Sequence, residues 1–236
     1  MRGVEQIPFL YDALMWIMER GVLGDWRRSL ARSGSSSPGS AESAPPGSAE
    51  SARLGGSGSL SLESEPRGSN APTPILEVGC GTGRNFPLYP PGAWVVGMDP
   101  DASMLRAARR RAPGAYLVRA RAEALPFRDD VFPVVVSSLV FCSVDDPRAG
   151  LREVARVLRP GGVLRMLEHV RPRSRLAGWV ARRIQPVWTA VAGGCRPDRD
   201  TEATVESAGF RILPESHRSR WILRRFDARV EGPSER

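Results

Sequence analysis

Three glycines at every second position, Gly79, Gly81 and Gly83, follow the apolar run Ile75-Leu76-Glu77-Val78, and a carboxylate, Asp99, ends the next run, Ala93-Trp94-Val95-Val96-Gly97-Met98. Glycine has no Cβ, so the backbone at such a turn can approach a bound ligand closely and adopt φ > 0 without strain. An acidic residue ending the following strand is placed to accept hydrogen bonds from a ribose diol. Together these features point to an adenosine-containing cofactor at the carboxyl edge of a parallel sheet. The spacing narrows the choice. A dinucleotide site uses G-x-G-x-x-G, with the pyrophosphate on a helix amino terminus, whereas this turn is G-x-G-x-G preceded by Glu77. A phosphate-binding G-x-x-x-x-G-K-[ST] loop is excluded, because the chain contains no lysine.

The elements that must position these groups alternate along the chain. After the glycine turn, residues 101–111 read as a helix capped by Asp101 or Ser103, with Met104, Leu105 and Ala108 on its inner face and Pro113-Gly114 beyond it. Residues 115–118 form a third strand. The nearly unbroken apolar run 131–140 suits a strand covered on both faces. Asp145-Asp146-Pro147 starts a helix carrying Leu151, Val154, Ala155 and Leu158, closed by Arg159-Pro160-Gly161-Gly162, and residues 163–167 form a fifth strand. Alternating strands and helices from Ile75 to Val170 predict an α/β fold, a Rossmann-like doubly wound and mostly parallel sheet. Residues 171–209 read as mostly helical. Residues 210–213 and a run near 221–230 add the last strands, an antiparallel pair. Pro133 lacks the N–H that a central strand needs, so that strand is expected to begin late or bulge.

Outside this region the composition changes. Residues 1–32 form a helical leader, with Phe9, Leu10, Ala13, Leu14, Ile17 and Met18 at helical spacing, then Val22, Leu23, Trp26 and Leu30; Gly21 and Gly24 are expected to break it. Its apolar face reads as a lid closing over the cofactor cleft. Trp16 and Trp26 with Arg27, Arg28 and Arg32 also suit weak association with a membrane surface. Residues 33–73 collapse to Ser, Gly, Pro, Ala and Glu, with Pro-Gly-Ser-Ala-Glu-Ser-Ala occurring twice. Such a segment cannot bury enough apolar surface to offset the entropy of ordering, and is expected to be a disordered linker. Residues 74–236 then form the chemical domain.

Composition bounds the partners. A formal net charge of +8 and a pI near 10.7 would suit an anionic partner. The basic residues are all arginine, scattered as often as clustered, and no recognition motif accompanies them, so no nucleic acid is expected. Three cysteines, Cys80, Cys142 and Cys195, lack C-x-x-C spacing, so neither a disulfide framework nor a metal site is indicated. With no long apolar run for a membrane span, a cytoplasmic protein is expected, peripheral to a membrane at most.

Ile75-Leu76-Glu77-Val78-Gly79-Cys80-Gly81-Thr82-Gly83, Met98-Asp99-Pro100, Ala122-Glu123-Ala124-Leu125-Pro126-Phe127 and Leu158-Arg159-Pro160-Gly161-Gly162 resemble, in order, the motifs of class I S-adenosylmethionine-dependent methyltransferases of the type 11 group. The resemblance implies that fold and S-adenosyl-L-methionine as cofactor. By it, Gly79, Gly81 and Gly83 wrap the methionine moiety, Asp99 takes the ribose hydroxyls, Met98 and Pro100 flank the adenine, and Ala122 with Glu123 lines its far edge. Glu77, Asn85 and Leu139 complete the expected cofactor contacts. Arg121 stands where many related enzymes place an aspartate, and Phe132-Pro133 where Phe-Asp is usual.

A narrower resemblance runs through Tyr89-Pro90-Pro91-Gly92, residues 139–144, Glu168-His169-Val170, Gln185-Pro186-Val187-Trp188 and residues 194–201. These are similar to the methyltransferase-like alkyl-thiol S-methyltransferases, and imply methyl transfer to the sulfur of a small-molecule acceptor by in-line displacement. That group shares the departure at Arg121. A phosphatidylethanolamine N-methyltransferase, a quinone C-methyltransferase and a non-catalytic S-adenosylmethionine-binding module are the alternatives. A thiol with pKa near 8.5 is partly ionised at neutral pH, and a nearby base or cation raises the thiolate fraction. His169 and Asp200 are the candidate catalytic residues. Cys142, Trp188, Cys195 and Arg196 are the candidate acceptor pocket. Neither the acceptor's identity nor the oligomeric state follows from the sequence.

Overall fold

The computed structural model describes residues 22–32, 74–170 and 198–231, together with Asp12, Trp16, Ser174, Trp179, Arg183 and Arg196. The linker expected over 33–73 lies outside the described residues, as do Trp188 and Cys195.

The elements run α1 (Val22–Arg32), β1 (Pro74–Val78), a 3-10 turn (Phe86–Leu88), β2 (Trp94–Asp99), α2 (Ala102–Arg111), β3 (Tyr116–Arg119), β4 (Phe132–Ser138), α3 (Pro147–Val157), β5 (Leu158–His169), α4 (Thr201–Ser207), β6 (Phe210–Ile212), β7 (Arg218–Arg220) and β8 (Leu223–Val230). They build an eight-stranded sheet in the order β3-β2-β1-β4-β5-β8-β6, with β7 paired to β8. Strands β1 to β5 pair in parallel, while β8 runs antiparallel to β5, β6 and β7. The chain leaves β1 toward β2 and β3, then returns to add β4 on the other side. Strand order therefore reverses between β1 and β4, and at such a point the loops diverge and leave a crevice at the carboxyl ends.

Local chemistry sets these boundaries. Asp101, Asp146 and Asp200 each cap a helix, accepting from the backbone N–H of Ser103 at 2.6 Å, Ala149 at 3.0 Å and Ala203 at 3.2 Å. Pro147 occupies the first turn of α3, where a missing N–H costs nothing. Every residue of β1 is buried, as a strand with helices on both faces requires. On one face Leu76, Val78, Met98, Val135, Leu164 and Met166 pack with Leu151, Val154 and Val205. On the other, Ile75, Val95, Val136 and Leu167 pack with Phe86, Tyr89 and the Leu23, Leu30 and Ala31 side chains of α1.

Two local expectations change. Helix α1 runs through Gly24 without a break, because the burial of Leu23, Leu30 and Ala31 outweighs a propensity cost of about 1 kcal/mol for one glycine. Residues 159–162 do not simply close α3 but form the irregular start of β5. Phe132 pairs with Leu158 and Val134 with Val163, so the register shifts at Pro133, where the ladder lacks a donor.

Candidate active site

A cleft of about 290 Å³ opens where the carboxyl ends of β1, β2 and β4 meet. It is lined by Val78, Gly79 and Gly81 from the first turn, residues 98–101 and Met104 from the second, residues 121–123 after β3, and residues 138–140 and 143–145 after β4. Met98 ends fully buried against the core, and Asp99 is the last residue of β2.

The glycine turn is held to Asp99 by its own backbone. Gly81 N–H donates to Asp99 Oδ2 at 3.0 Å, and Asp101 N–H donates to Asp99 Oδ1 at 2.8 Å. Burial pushes the Asp99 carboxyl above its ordinary value, against the lowering effect of those two hydrogen bonds. A carboxylate has about four acceptor positions, so each oxygen keeps one for a diol. Gly79 has φ +64°, and a Cβ there would stand 2.5 Å from Val140 Cγ2. A side chain at position 79 would thus meet both backbone strain and the stiff Val140.

The charges in the cleft discriminate between ligands. Asp99, Asp101, Glu123 and Asp145 line it, and among the described residues the only lining cation is Arg121. Arg121 is already paired, donating to Asp145 Oδ2 at 2.6 Å and Glu123 Oε1 at 3.2 Å. Among the described residues, no uncommitted positive group lines the cleft to face a pyrophosphate. The excess of carboxylates suits a phosphate-free nucleoside that carries a sulfonium and an ammonium. Met98 and Met104 supply apolar walls for a base, and Leu139, Val140 and Val144 line the side after β4. The donor set therefore fits S-adenosylmethionine.

Of the residues expected at the cofactor, Gly79, Gly81, Met98, Asp99, Pro100, Ala122, Glu123 and Leu139 line this cleft, whereas Glu77, Gly83 and Asn85 do not. Side chains alternate along a strand, so with Val78 toward the cleft Glu77 turns to the α1 face. There it is buried, accepting from Asn85 Nδ2 at 2.9 Å and from the Tyr89 hydroxyl at 3.0 Å. Burial pushes its carboxyl up to about 7, against the lowering effects of Tyr89, Asn85 and Arg27 of α1. Gly83 faces packing instead, since a Cβ there would lie 2.8 Å from Phe86 and 3.1 Å from Ala108.

The expected acceptor residues are arranged differently. His169 is buried at the end of β5, where its carbonyl accepts from the Thr201 hydroxyl at 3.3 Å. Asp200 is exposed and caps α4. Neither lines the cleft. Cys142 is buried just behind the cleft residue Ser143, and its carbonyl accepts from the Arg196 N–H at 2.9 Å. Arg196 is exposed, and Trp179 is half exposed with the Arg183 guanidinium over its ring. No group of histidine, cysteine, aspartate and glutamate side chains that could hold a metal occurs among the described residues.

Sequence reasoning named 139–144 only as a motif of the narrower resemblance and did not single out Ser138, Val140, Ser143, Val144 and Asp145 as cleft residues. Their signal was positional: they follow an apolar strand beside the glycine turn, at the carboxyl edge where loops build sites. It also missed Asp12, whose carboxylate accepts from the Thr82 hydroxyl at 2.7 Å, from Arg111 Nη2 at 2.6 Å and from Arg84 Nη1 at 3.3 Å. The leader therefore touches the glycine turn at Asp12, while Leu23, Trp26, Leu30 and Ala31 of α1 pack on the sheet face and none of these four lines the cleft.

Sheet order and cleft together define the class I, Rossmann-like methyltransferase fold. Residues 76–166 match the family described as Methyltransferase domain. The chain is 38% identical over 152 residues to thiol S-methyltransferase TMT1B of Rattus norvegicus, covering 61% of this chain and 62% of that one. It is 36% identical over 151 residues to human thiol S-methyltransferase TMT1A, with the same coverage. The chain thus spans less than two thirds of the length of these relatives. A SAM-dependent methyltransferase of Methanosarcina mazei superposes with a TM-score of 0.53 at 23% identity, covering 69% of this chain and 95% of that one.

Proposed function

We propose that the protein transfers the methyl group of S-adenosylmethionine to the sulfur of a small thiol. The observation that carries the reading is Asp99, held by the Gly81 and Asp101 amides with acceptor capacity to spare, in a cleft rich in carboxylates and, among the described residues, without an uncommitted cation. The thiol S-methyltransferases among its relatives support sulfur as the acceptor atom.

The cofactor supplies an activated methyl, so the chain's own work is alignment and exclusion of water. Asp99 orients the ribose. Gly79 and Gly81 leave backbone room for the amino-acid tail. Leu139, Val140 and Val144 wall off solvent beside it. The positive groups behind the 142–145 loop, Arg196 and Arg199, lie close enough to act on the Asp145 carboxylate, which Arg121 chiefly, and these two further, hold below its ordinary value. They are the cations we put forward for favouring a thiolate. General-base roles for His169 and Asp200 remain part of the proposal, as do Cys142, Trp188, Cys195 and Arg196 as acceptor contacts. A reducing, cytoplasmic setting fits the buried thiols of Cys80 and Cys142.

The test is incubation of the full chain with methyl-labelled S-adenosylmethionine and a panel of alkyl thiols, amines, phosphatidylethanolamine and quinones. Label on sulfur is expected. Label found only on nitrogen or carbon would overturn the thiol reading, and no transfer to any acceptor would overturn the enzyme.

A further inference from the structure

The loop after β4 takes its shape from groups distant in sequence. Glu168, fully buried at the end of β5, accepts four hydrogen bonds: from the Ser137 hydroxyl at 3.0 Å and from the backbone N–H groups of Val140, Phe141 and Cys142 at 3.0, 3.1 and 3.3 Å. Three consecutive amides converging on one carboxylate form an anion nest, here filled by the protein itself. The loop's carbonyls are taken from the other side. Arg199 Nη1 donates to Phe141 O at 2.9 Å and Val144 O at 2.6 Å, and the Arg196 N–H donates to Cys142 O at 2.9 Å.

This clamp supports a conformation the backbone would not choose alone. Leu139 has φ +61°, a left-handed value that costs a non-glycine residue about 1 kcal/mol or more. Its N–H donates to Leu167 O at 2.7 Å. The turn swings Val140 against Gly79 and delivers Leu139, Ser143 and Val144 to the cleft wall. Burial raises the Glu168 carboxyl against those four hydrogen bonds, so the group depends on all its donors to stay accommodated.

We propose that Glu168 and Arg199 are positioning residues that clamp the 139–145 loop as the wall against which the methyl acceptor is aligned, Glu168 through the loop's amides and Arg199 through its carbonyls. The donor groups, Asp99 and the glycine turn, are set by other strands. Loosening the clamp therefore degrades acceptor alignment far more than cofactor affinity. The part that concerns the acceptor rests on the methyl-transfer reading above.

The test uses the full chain with Glu168→Gln and Arg199→Met, and three readouts. These are hydrogen exchange of the 139–145 peptide, calorimetric affinity for S-adenosylhomocysteine, and kcat and KM for methylation of 1-propanethiol. Glu168→Gln keeps the side chain's shape but turns one carboxylate oxygen into a donor facing donors. It is expected to speed exchange in 139–145 and lower kcat/KM for the thiol by about 30-fold or more, with cofactor affinity changed less than about fivefold. Arg199→Met is expected to show the same pattern at smaller amplitude, with partial recovery in Arg199→Lys. Unchanged loop exchange in both variants would overturn the proposal, as would cofactor affinity falling as far as kcat/KM. If Glu168→Gln does not fold, the arginine variants decide alone. A wild type that binds S-adenosylhomocysteine and methylates no thiol sinks the thiol reading, while exchange and affinity still decide the clamp.

Discussion

The two halves of the cleft are built by opposite means. On the donor side, Gly79, Gly81 and Asp99 lie within about twenty residues, and backbone amides of the same two turns hold the key carboxylate. On the side proposed for the acceptor, the loop at 139–145 is fixed by Glu168 and Arg199, whose partners stand 26 to 31 and 55 to 58 residues away. A cofactor common to many reactions needs a site that local sequence guarantees. An acceptor wall built from long-range contacts can be altered without disturbing that site.

Breaking the donor side at its narrowest point gives the largest effect. Gly79→Ala adds a left-handed penalty and a Cβ that overlaps Val140. Together these are expected to cost about 4 kcal/mol of stability, read from the shift in urea midpoint. Cofactor affinity should fall with it, since Val140 and the turn can no longer both keep their places.

A second prediction separates the cleft from the carboxylate behind it. Glu77 titrates at about 7 in the folded chain, against 4.5 as its ordinary value. Between those values the unfolded chain has lost its proton and the folded chain keeps it, so the stability Glu77 contributes is fully present below about pH 4.5 and is lost as pH rises through about 7. Glu77→Gln should flatten that decline by about 2 kcal/mol between pH 5 and pH 7, measured as urea midpoints at the two values. Asp99 is also raised by burial, so some slope survives. A variant that loses S-adenosylhomocysteine affinity outright would return Glu77 to the cofactor's contacts.

The smallest effect is expected at the leader. Asp12→Ala removes the hydrogen bonds from Thr82, Arg84 and Arg111 to the glycine turn and its flank. Asp12 is partly exposed, and the loss should be about 1 kcal/mol, with a drop of a few degrees in Tm. Burial pushes its carboxyl up, but the hydrogen bonds from Arg111, Thr82 and Arg84 outweigh it and leave it lowered. Its contribution is present above the ordinary aspartate range and lost as pH falls below it.

The same division explains what the sequence could tell. The glycine turn, Asp99, the alternation of strands and helices, and the irregularity at Pro133 all depend on neighbours in the chain, and they were legible. Glu77 was misdirected because motif membership hid a rule of strands: with Val78 toward the cleft, the residue before it must face the other way. Asn85 followed Glu77 to that face. Glu168 stood in a motif of the narrower resemblance, but its role was not legible, since it exists only once β4 and β5 pair and bring Ser137 and the 140–142 amides to it. His169 attracted notice as one of two histidines, yet it is the glutamate beside it that reaches the loop.

The measurement that bears most directly on the donor side is calorimetric titration of S-adenosylhomocysteine into the wild type and Asp99→Asn. The wild type is expected to bind one equivalent, and Asp99→Asn to bind about 100-fold more weakly, since it loses charge-assisted hydrogen bonds to the ribose and weakens its hold on the Gly81 amide. A wild type that binds nothing, or a variant that binds as tightly as the wild type, would contradict the assignment of this cleft to the methyl donor.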